Sequence, residues 1–502
     1  MSLATTLCRA SLGIEAPLVT VETHLANGLP AFNIVGLPEK AVQEARDRVR
    51  SALINSGFEF PSRRITVNLA PADIPKQGSR FDLAIAIGIL VASRQLPHDG
   101  LVGLELFGEL TLGGGVRPVT GILPAAAACA REGHRLLLPE PNAAEAGLVS
   151  SLEILPTDSL LQVAAHLTGR ETIPPFERKE ATLTREPGPD LADVRGQPQA
   201  RRALEIAAAG RHNLLMMGPP GTGKSMLAAR LPGILPPMTE QEALETAAIH
   251  SVAGVPVEPS RWRQRPFRSP HHTSSGVALV GGSGVPRPGE ISLAHNGVLY
   301  LDELPEFDAR VLEVLREPME TGKIVIARAA RSAEFPARFQ LVAAMNPCRC
   351  GYLNDEEKRC VQCTPQTAER YQGRISGPLR DRIDIQIEVP AVPVEQLLNT
   401  DEPRESSTAV RERVTAAWRH QMARQGCSNA ELAHAALERH CPLAPPVRSL
   451  LSEAIDRLGL SARAYHRILR VARTIADLAQ SDVIEATHMS EAIGYRRLDR
   501  GG

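Results

Sequence analysis

Apolar and polar positions follow two different periods along the chain, and the changes of period divide it into regions. Residues 1–170 mix short alternating runs, such as residues 64–69, with helix-period segments, which predicts a mixed α/β domain. Residues 171–190 are rich in proline and charge and predict a linker. In residues 191–393 short apolar runs alternate with helix-period segments, as in a parallel sheet with helices on both faces. Residues 394–502 predict a small helical lid domain.

Composition limits the class of protein. The 502 residues exceed one ordinary hydrophobic core, so two or three domains are expected. Apolar residues make up 43% and charged residues 23%, as in soluble globular proteins. There is no apolar stretch of about 18 residues and no basic-plus-apolar leader, so we expect a cytoplasmic protein without a membrane partner. A formal net charge of -1 means that any nucleic-acid binding has to come from local basic surfaces.

The strongest motif is Gly-Pro-Pro-Gly-Thr-Gly-Lys-Ser at residues 218–225, which follows an apolar strand and opens a helix. Its glycines let backbone N–H groups turn toward phosphates, while Lys224 reaches the β- and γ-phosphates and the Ser225 hydroxyl binds Mg²⁺. The motif predicts an ATP site. Its predicted nucleotide-binding residues are Gly218, Pro219, Pro220, Gly221, Thr222, Gly223, Lys224, Ser225 and Met226.

A carboxylate pair, Asp302 and Glu303, ends the apolar run at residues 297–301. Ligands of open α/β sheets collect at the carboxyl ends of the strands, so we expect both side chains beside the phosphate loop. Asp302 would hold Mg²⁺, directly or through water, and Glu303 would act as the general base that polarises the attacking water. A solvated Asp-Glu turn is the alternative.

Four of the eight cysteines form a C-x-C…C-x-x-C pattern, namely Cys348, Cys350, Cys360 and Cys363. Four thiolates at this spacing can close a tetrahedral Zn²⁺ site of the structural kind. The alternatives are four unrelated reduced thiols or a redox pair at the second C-x-x-C. Zinc would fix the loop that follows the strand at residues 339–345.

The chain resembles the AAA+ superfamily, and residues 267–274, 286–295 and 343–348 resemble the ComM/YifB group of magnesium-chelatase-like proteins. The order of the motifs is also that of the group, and the likeness extends over nearly the whole chain. The resemblance implies a homo-hexameric, ATP-dependent DNA translocase or helicase. Such a protein would promote branch migration on single-stranded and branched DNA during recombination of transforming DNA.

Further site residues follow only from this resemblance. Asn346 is similar to the sensor that orients the attacking water, and an amide suits that role because it both donates and accepts hydrogen bonds. Arg382 is the first choice for the arginine finger that acts on a neighbouring subunit's ATP, with Arg374 and Arg380 as alternatives. Arg463 is similar to the second sensor, and Arg467, one helical turn later, is the alternative. We expect Ser461 to cap the helix that carries both.

Residues 69–84 and 107–110 resemble the Lon-protease-like domain that precedes the motor in this group. In Lon-type sequences the nucleophilic serine follows a Pro-Lys-x-Gly-x stem, but Arg80 occupies that position here and Ser79 stands one place early. A nucleophile has to lie within about 3 Å of its base. We therefore expect an inactive domain that helps to form the ring or guide DNA, and no protease.

Basic residues near two predicted loops are the candidate DNA contacts. They are Arg265 and Arg268 in an arginine-rich stretch, and Arg328 and Arg331 in a predicted hairpin. A six-membered ring would repeat each arginine six times and could grip phosphates without reading bases. Solvated basic loops are the alternative. The adjacent His271 and His272 lack an evident metal partner and predict a polar loop or a nucleotide-coupled contact.

Two other functions remain open at this point. A magnesium-chelatase-type motor would drive metal insertion into a tetrapyrrole through partner subunits, but such motors lack the Lon-like front domain. A protein-remodelling ATPase is favoured only by that domain.

Overall fold

The computed structural model describes residues 2–178, 188–282, 286–328, 331–353, 360, 363–393, 395–396, 404–496 and 498. The chain divides into two compact units. The first combines residues 1–184 with 244–262, and the second combines residues 185–243 with 263–502. Residues 244–262, which the hydrophobic pattern placed in the ATPase core, therefore cluster with the first unit.

The first unit contains a mixed sheet of seven strands within the described residues, in the order β3-β4-β2-β1-β5-β8-β9. Its strands are β1 (Leu3–Arg9), β2 (Leu18–Ala26), β3 (Ala31–Val35), β4 (Arg64–Ala70), β5 (Leu104–Leu106), β8 (Arg135–Pro139) and β9 (Ile154–Thr157), and β6 (Glu109–Leu110) pairs with β7 (Val116–Arg117). Its helices are α1 (Lys40–Gln43), α2 (Ala45–Asn55), α3 (Asp82–Ala92), α4 (Ile122–Arg131), α5 (Glu140–Ala146) and α6 (Leu160–Leu167). Helix α3 is apolar on all sides except at Asp82 and is buried along its whole length.

The second unit is built on a parallel sheet of five described strands in the order β11-β12-β15-β10-β16. These are β10 (Leu214–Met217), β11 (Phe267–Arg268), β12 (Val298–Leu301), β15 (Gln340–Met345) and β16 (Ile385–Glu388). The helices of this part of the chain are α7 (Pro198–Gly210), α8 (Lys224–Ala228), α9 (Leu231–Ile234), α10 (Glu240–Ala253), α11 (Gly276–Val280), α12 (Glu290–Leu293), α13 (Ala309–Val314), α14 (Arg316–Thr321), α15 (Pro365–Gln372) and α16 (Gly377–Arg380). Most of α10 belongs to the first unit.

The strand register of this parallel sheet positions the functional residues. Every residue of β12 and β15 is buried, as expected for strands that helices cover on both faces. Met217 at the end of β10 pairs with Met345 at the end of β15, and Leu301 at the end of β12 pairs with Ala343. The segments that follow these three strands therefore begin at the same edge of the sheet.

A hairpin and a helical domain complete the second unit. Strands β13 (Lys323–Arg328) and β14 (Arg331–Pro336) pair antiparallel. The helical domain contains α17 (Ser407–Gln425), α18 (His434–His440), α19 (Pro445–Leu458), α20 (Ala462–Leu478) and α21 (Ala486–Gly494). The predicted N-cap of α20 is confirmed, because the Ser461 hydroxyl accepts a hydrogen bond from the Ala464 amide at 3.2 Å.

The prediction of an α/β fold with a parallel sheet is thus confirmed, whereas the Lon-like character of the first unit stays a prediction. In that unit the Ser79 hydroxyl donates to the Glu109 carboxylate, and the buried Lys76 ammonium donates to the Pro71 carbonyl oxygen. Among the described residues, no helix is long and apolar enough to cross a membrane.

Candidate functional site

The phosphate loop connects β10 to α8, and its glycines are required by geometry. Gly221 and Gly223 have φ of 81° and 87°, in the left-handed region that favours glycine. A Cβ at Gly218 would lie 2.1 Å from the Val389 carbonyl oxygen, so no larger residue fits there. The loop is consequently able to turn its backbone N–H groups toward an anion at the N-terminus of the helix.

Lys224 is held inside this loop. Its ammonium donates to the carbonyl oxygens of Gly218 and Pro219, both at 2.8 Å, and to Oδ1 of Asn346 at 3.3 Å. Burial lowers the pKa of Lys224, while the charges of Asp302 and Glu303 oppose that effect. The predicted phosphate-binding lysine and the predicted sensor amide are therefore in direct contact.

The predicted magnesium ligands also meet. The Ser225 hydroxyl donates to Oδ2 of Asp302 at 2.8 Å, and Oδ1 of Asp302 accepts the Glu303 amide at 2.9 Å. The Tyr300 hydroxyl donates to Ser225 Oγ at 3.1 Å, and burial raises the pKa of Tyr300. A hydroxyl and a carboxylate oxygen at this spacing are the hard oxygen donors that Mg²⁺ prefers, so the pair fits that ion.

Glu303, the predicted general base, begins the turn after β12. Its backbone is left-handed, with φ of 51° and ψ of 47°, which is uncommon for a residue with a side chain. The carboxylate is half exposed, and Oε2 lies 3.1 Å from Nδ1 of His272. This histidine contact is the main feature of the site that sequence reasoning did not assign. For the histidine pair, the sequence analysis predicted only a polar loop or a nucleotide-coupled contact, without naming Glu303 as the partner.

The three arginine-finger candidates lie in different surroundings. Arg382 is largely buried; it donates to the Pro378 carbonyl at 2.6 Å and forms an ion pair with Glu320. Arg380 donates to the Gln372 carbonyl at 3.0 Å. Arg374 is half exposed and lies 3.1 Å from Glu306. The choice among them stays a prediction.

The two second-sensor candidates differ more sharply. Arg463 is 69% exposed, and its Nη1 lies 3.9 Å from Asp381. Arg467 forms an ion pair with the buried Asp384 and donates to the Arg382 carbonyl at 3.2 Å. Arg467 thus connects the helical domain to the ATPase core, whereas Arg463 is largely exposed, and the choice between the two stays a prediction.

The four predicted cysteine ligands come together. Their Sγ atoms all lie within 4.8 Å of one another, and Cys350 is 3.2, 3.1 and 3.5 Å from Cys348, Cys360 and Cys363. Tetrahedral Zn–S bonds of about 2.3 Å imply S···S distances of about 3.8 Å, so the cluster fits zinc. Burial alone would raise the pKa of Cys348, but hydrogen bonds, first of all with Cys350, lower it to about 7.

The cysteine loop lies against the phosphate loop. Gly351 has a φ of 91°, and a Cβ there would come within 2.6 Å of Pro220 Cδ and 3.8 Å of the Asn346 side chain. A residue of the cysteine loop is therefore packed against both the phosphate loop and the sensor.

Two of the predicted DNA contacts have partners within the fold. Arg265 is buried and donates to the carbonyls of Pro236 and Asn296, both at 2.7 Å, and burial lowers its pKa to about 10. Arg268 binds both carboxylate oxygens of Glu290, at 2.6 and 2.7 Å. Phosphate contact by either would require loss of these partners. Arg328 is the last residue of β13 and Arg331 is the first residue of β14, and their side chains lie outside the described residues.

Three family models match in succession along the chain. "Subunit ChlI of Mg-chelatase" matches residues 21–142, "Magnesium chelatase, subunit ChlI" matches residues 190–397, and "Magnesium chelatase, subunit ChlI C-terminal" matches residues 404–496.

Similar proteins extend this result. Competence protein ComM of Haemophilus influenzae is 51% identical over 504 residues, covering 100% of this chain and 98% of that protein. The uncharacterized protein YifB of Escherichia coli is 49% identical over 502 residues, with the same coverage of 100% and 98%. The magnesium-chelatase 38 kDa subunit of Cereibacter sphaeroides is 29% identical over 182 residues, covering 30% of this chain and 51% of that subunit.

Proposed function

Because the chain belongs to the ComM/YifB family of magnesium-chelatase-like AAA+ proteins, we propose that it is an ATP hydrolase that drives branch migration of DNA as a hexameric ring. The observation that carries the hydrolase activity is the pairing of Lys224 with Asn346 and of Ser225 with Asp302, with Glu303 next in the chain. These contacts support the proposal, because they bring the predicted phosphate-binding lysine, the predicted sensor amide and the two predicted magnesium ligands together in pairs beside the phosphate loop.

Each residue of the candidate site has a separate role in phosphoryl transfer. Mg²⁺ bound with ATP neutralises charge on the phosphates, and Ser225 and Asp302 would hold it. Lys224 donates hydrogen bonds to the β- and γ-phosphates in place of its present carbonyl partners. Glu303 accepts the proton of the attacking water, and Asn346 orients that water. Arg463 reaches the phosphates from the helical domain, and an arginine of a neighbouring subunit stabilises the charge that develops.

Zinc has a structural part in this proposal. Cys348, Cys350, Cys360 and Cys363 would hold the ion, which fixes the loop packed on Pro220 and Asn346. No step of the reaction involves this site.

DNA is the proposed substrate because one full-length relative is named a competence protein, and competence is the uptake of DNA by cells. The hairpin β13–β14, with Arg328 and Arg331, is the favoured contact, since Arg265 and Arg268 already have partners. We expect the protein to act in the cytoplasm, where ATP and recombining DNA meet. The match to magnesium-chelatase models keeps a chelatase-type motor as the second candidate.

The test is ATP hydrolysis with no polymer, single-stranded DNA, a four-way DNA junction or unfolded protein. DNA should stimulate ATP hydrolysis, and the protein should dissociate the four-way junction in an ATP-dependent branch-migration assay. Lys224→Ala should lower the rate at least about 100-fold, because a preorganised charge on the phosphates is lost. Lys40→Ala, an exposed lysine of the first unit, is the matched control. If unfolded protein but not DNA stimulates ATP hydrolysis, or if neither polymer stimulates it, the proposal is contradicted.

A further inference from the structure

The cysteine cluster is open to solvent on one side. Cys348 is fully buried, whereas Cys350, Cys360 and Cys363 are partly exposed. Cys350 and Cys363 line a pocket of about 570 Å³, and their Sγ atoms lie 3.5 Å apart. The pocket therefore gives a small solute access to two neighbouring sulfurs of the cluster, while the protein shields the sulfur of Cys348.

Arginines line the same pocket as the two thiols. They are Arg349, Arg370 and Arg374. Arg374 donates to the Pro305 carbonyl and to the Glu306 carboxylate. For Arg349 and Arg370, the described part of the chain offers neither a hydrogen bond nor an ion pair. Guanidinium groups donate strong hydrogen bonds to anionic oxygen, so the pocket places sulfur nucleophiles beside donors for a hydroxide that leaves during oxidation.

The cluster also joins the ATP site to a neighbouring helix. Cys348 lies two residues after Asn346, the predicted sensor, and Gly351 lies against Pro220 of the phosphate loop. The other half of the cluster ends at Cys363, directly before the cap of α15. A metal ion held by both halves would fix the segment that packs on the phosphate loop, and loss of one half would free that segment.

We propose that Cys350 and Cys363 form a redox modification site, at which hydrogen peroxide produces a disulfide that releases zinc and weakens ATP binding. The Cys350 thiolate attacks peroxide, so that an S–O bond forms, the O–O bond breaks and hydroxide leaves. The Cys363 thiolate then attacks the Cys350 sulfur, so that the S–S bond forms, the S–O bond breaks and a second hydroxide leaves. The two sulfurs together lose the two electrons that reduce the peroxide.

Disulfide formation removes half of the zinc ligands. Only the thiolate form of cysteine binds a metal strongly, and a disulfide contains no thiolate. The remaining thiolates, those of Cys348 and Cys360, hold the ion far less tightly than a complete set of four. A thiol reductant regenerates both lost ligands by exchange, so the modification is reversible. The effect on ATP rests on the proposed function, whereas the disulfide and the release of zinc do not.

The test is peroxide treatment of the full-length protein loaded with zinc. A chromogenic chelator measures released zinc, and mass spectrometry of alkylated peptides maps the disulfide. About one zinc ion per chain should be released as the Cys350–Cys363 disulfide forms, and dithiothreitol with added zinc should reverse both changes. The affinity for a non-hydrolysable ATP analogue should fall severalfold in the oxidised protein. Cys8 and Cys129, which are buried, should stay reduced.

Cys363→His separates zinc binding from disulfide formation. Histidine completes Cys₃His zinc sites but cannot form a disulfide, so this variant should bind zinc and release it at least about tenfold more slowly under peroxide. Cys427→Ser, which removes a partly exposed thiol outside the cluster, is the matched control and should release zinc at the wild-type rate. If Cys363→His binds no zinc, Cys350→His takes its place with the same expectation.

The outcomes separate the modification site from the proposed function. Reduced protein that binds no zinc, or peroxide-treated protein that keeps its zinc, would overturn the site. A disulfide between any other pair of cysteines, or release of zinc from the histidine variant at the wild-type rate, would overturn it equally. Zinc release with unchanged affinity for the ATP analogue would overturn the effect on ATP binding. If DNA fails to stimulate ATP hydrolysis by the reduced protein but peroxide still produces the disulfide and releases zinc, the site is supported and the DNA function is overturned.

Discussion

The Asp384 carboxylate has a structural role. It is 3% exposed, accepts the Asn213 amide at 3.0 Å and forms an ion pair with Arg467 of α20. Burial by itself would raise the pKa of Asp384, but the charge of Arg467 and the His212 ring hold it well below its usual value. The pair therefore fastens the helical domain to the sheet at neutral pH.

Asp384→Asn should be strongly destabilising, because it leaves the largely buried Arg467 charge without its partner. We expect a loss of about 3–5 kcal/mol in the free energy of unfolding at pH 7, measured by urea titration. Asp381→Asn, which removes the more exposed carboxylate near Arg463, should cost less than about 1 kcal/mol.

The pH dependence of that difference has a definite sign. A carboxylate whose pKa is depressed on folding stabilises the protein fully above its unfolded pKa of about 4. That stabilisation is lost as the pH falls from there through the folded pKa. The gap between wild type and Asp384→Asn should therefore shrink below about pH 4. A gap that is constant between pH 3 and pH 7 would contradict the assignment of an ionised Asp384.

At the scale of secondary-structure elements and loops, the cysteine loop should affect nucleotide binding, because Gly351 lies against Pro220 of the phosphate loop. Cys350→Ser should lower the zinc content from about one ion per chain and weaken ATP binding severalfold, since a ligand is lost and the loop loses its anchor. Metal analysis and nucleotide titration measure the two effects. Cys427→Ser, a thiol outside the cluster, is the control. Zinc loss with unchanged ATP affinity would show that the packing on Pro220 is not needed for binding.

How well the sequence predicts a feature depends on whether the residues that form it are close together or far apart along the chain. The phosphate loop and the cysteine cluster are local patterns, whose spacing alone places their side chains together. The meeting of Ser225 with Asp302 also followed, because parallel strands end at a common edge. The contact of His272 with Glu303 did not follow, since it depends on β11 lying beside β12. The burial of the Arg265 side chain could not be predicted either, because two of its acceptors are backbone carbonyls of distant segments, and the third is the Glu242 carboxylate.

At the scale of the whole molecule, the hexamer proposal makes each ATP site depend on two chains. Within the chain, Arg463 is predicted to act on its own subunit's nucleotide, whereas the finger arginine acts on its neighbour's. The finger is therefore the one predicted catalytic residue that a different subunit can supply. Arg382 would first have to leave Glu320, while Arg374 is already half exposed.

Mixing inactive variants should reveal which arginine acts between subunits. Lys224→Ala chains keep the finger but have no active loop, and Arg382→Ala chains keep the loop. A random mixture restores both parts at about a quarter of the interfaces, so the mixture should hydrolyse ATP faster than the two variants measured separately. Arg463→Ala mixed with Lys224→Ala should show no recovery, because both defects act within one chain. Recovery with Arg374→Ala but not with Arg382→Ala would transfer the finger to Arg374, and recovery with none of the three candidates, Arg380 included, would contradict catalysis across a ring.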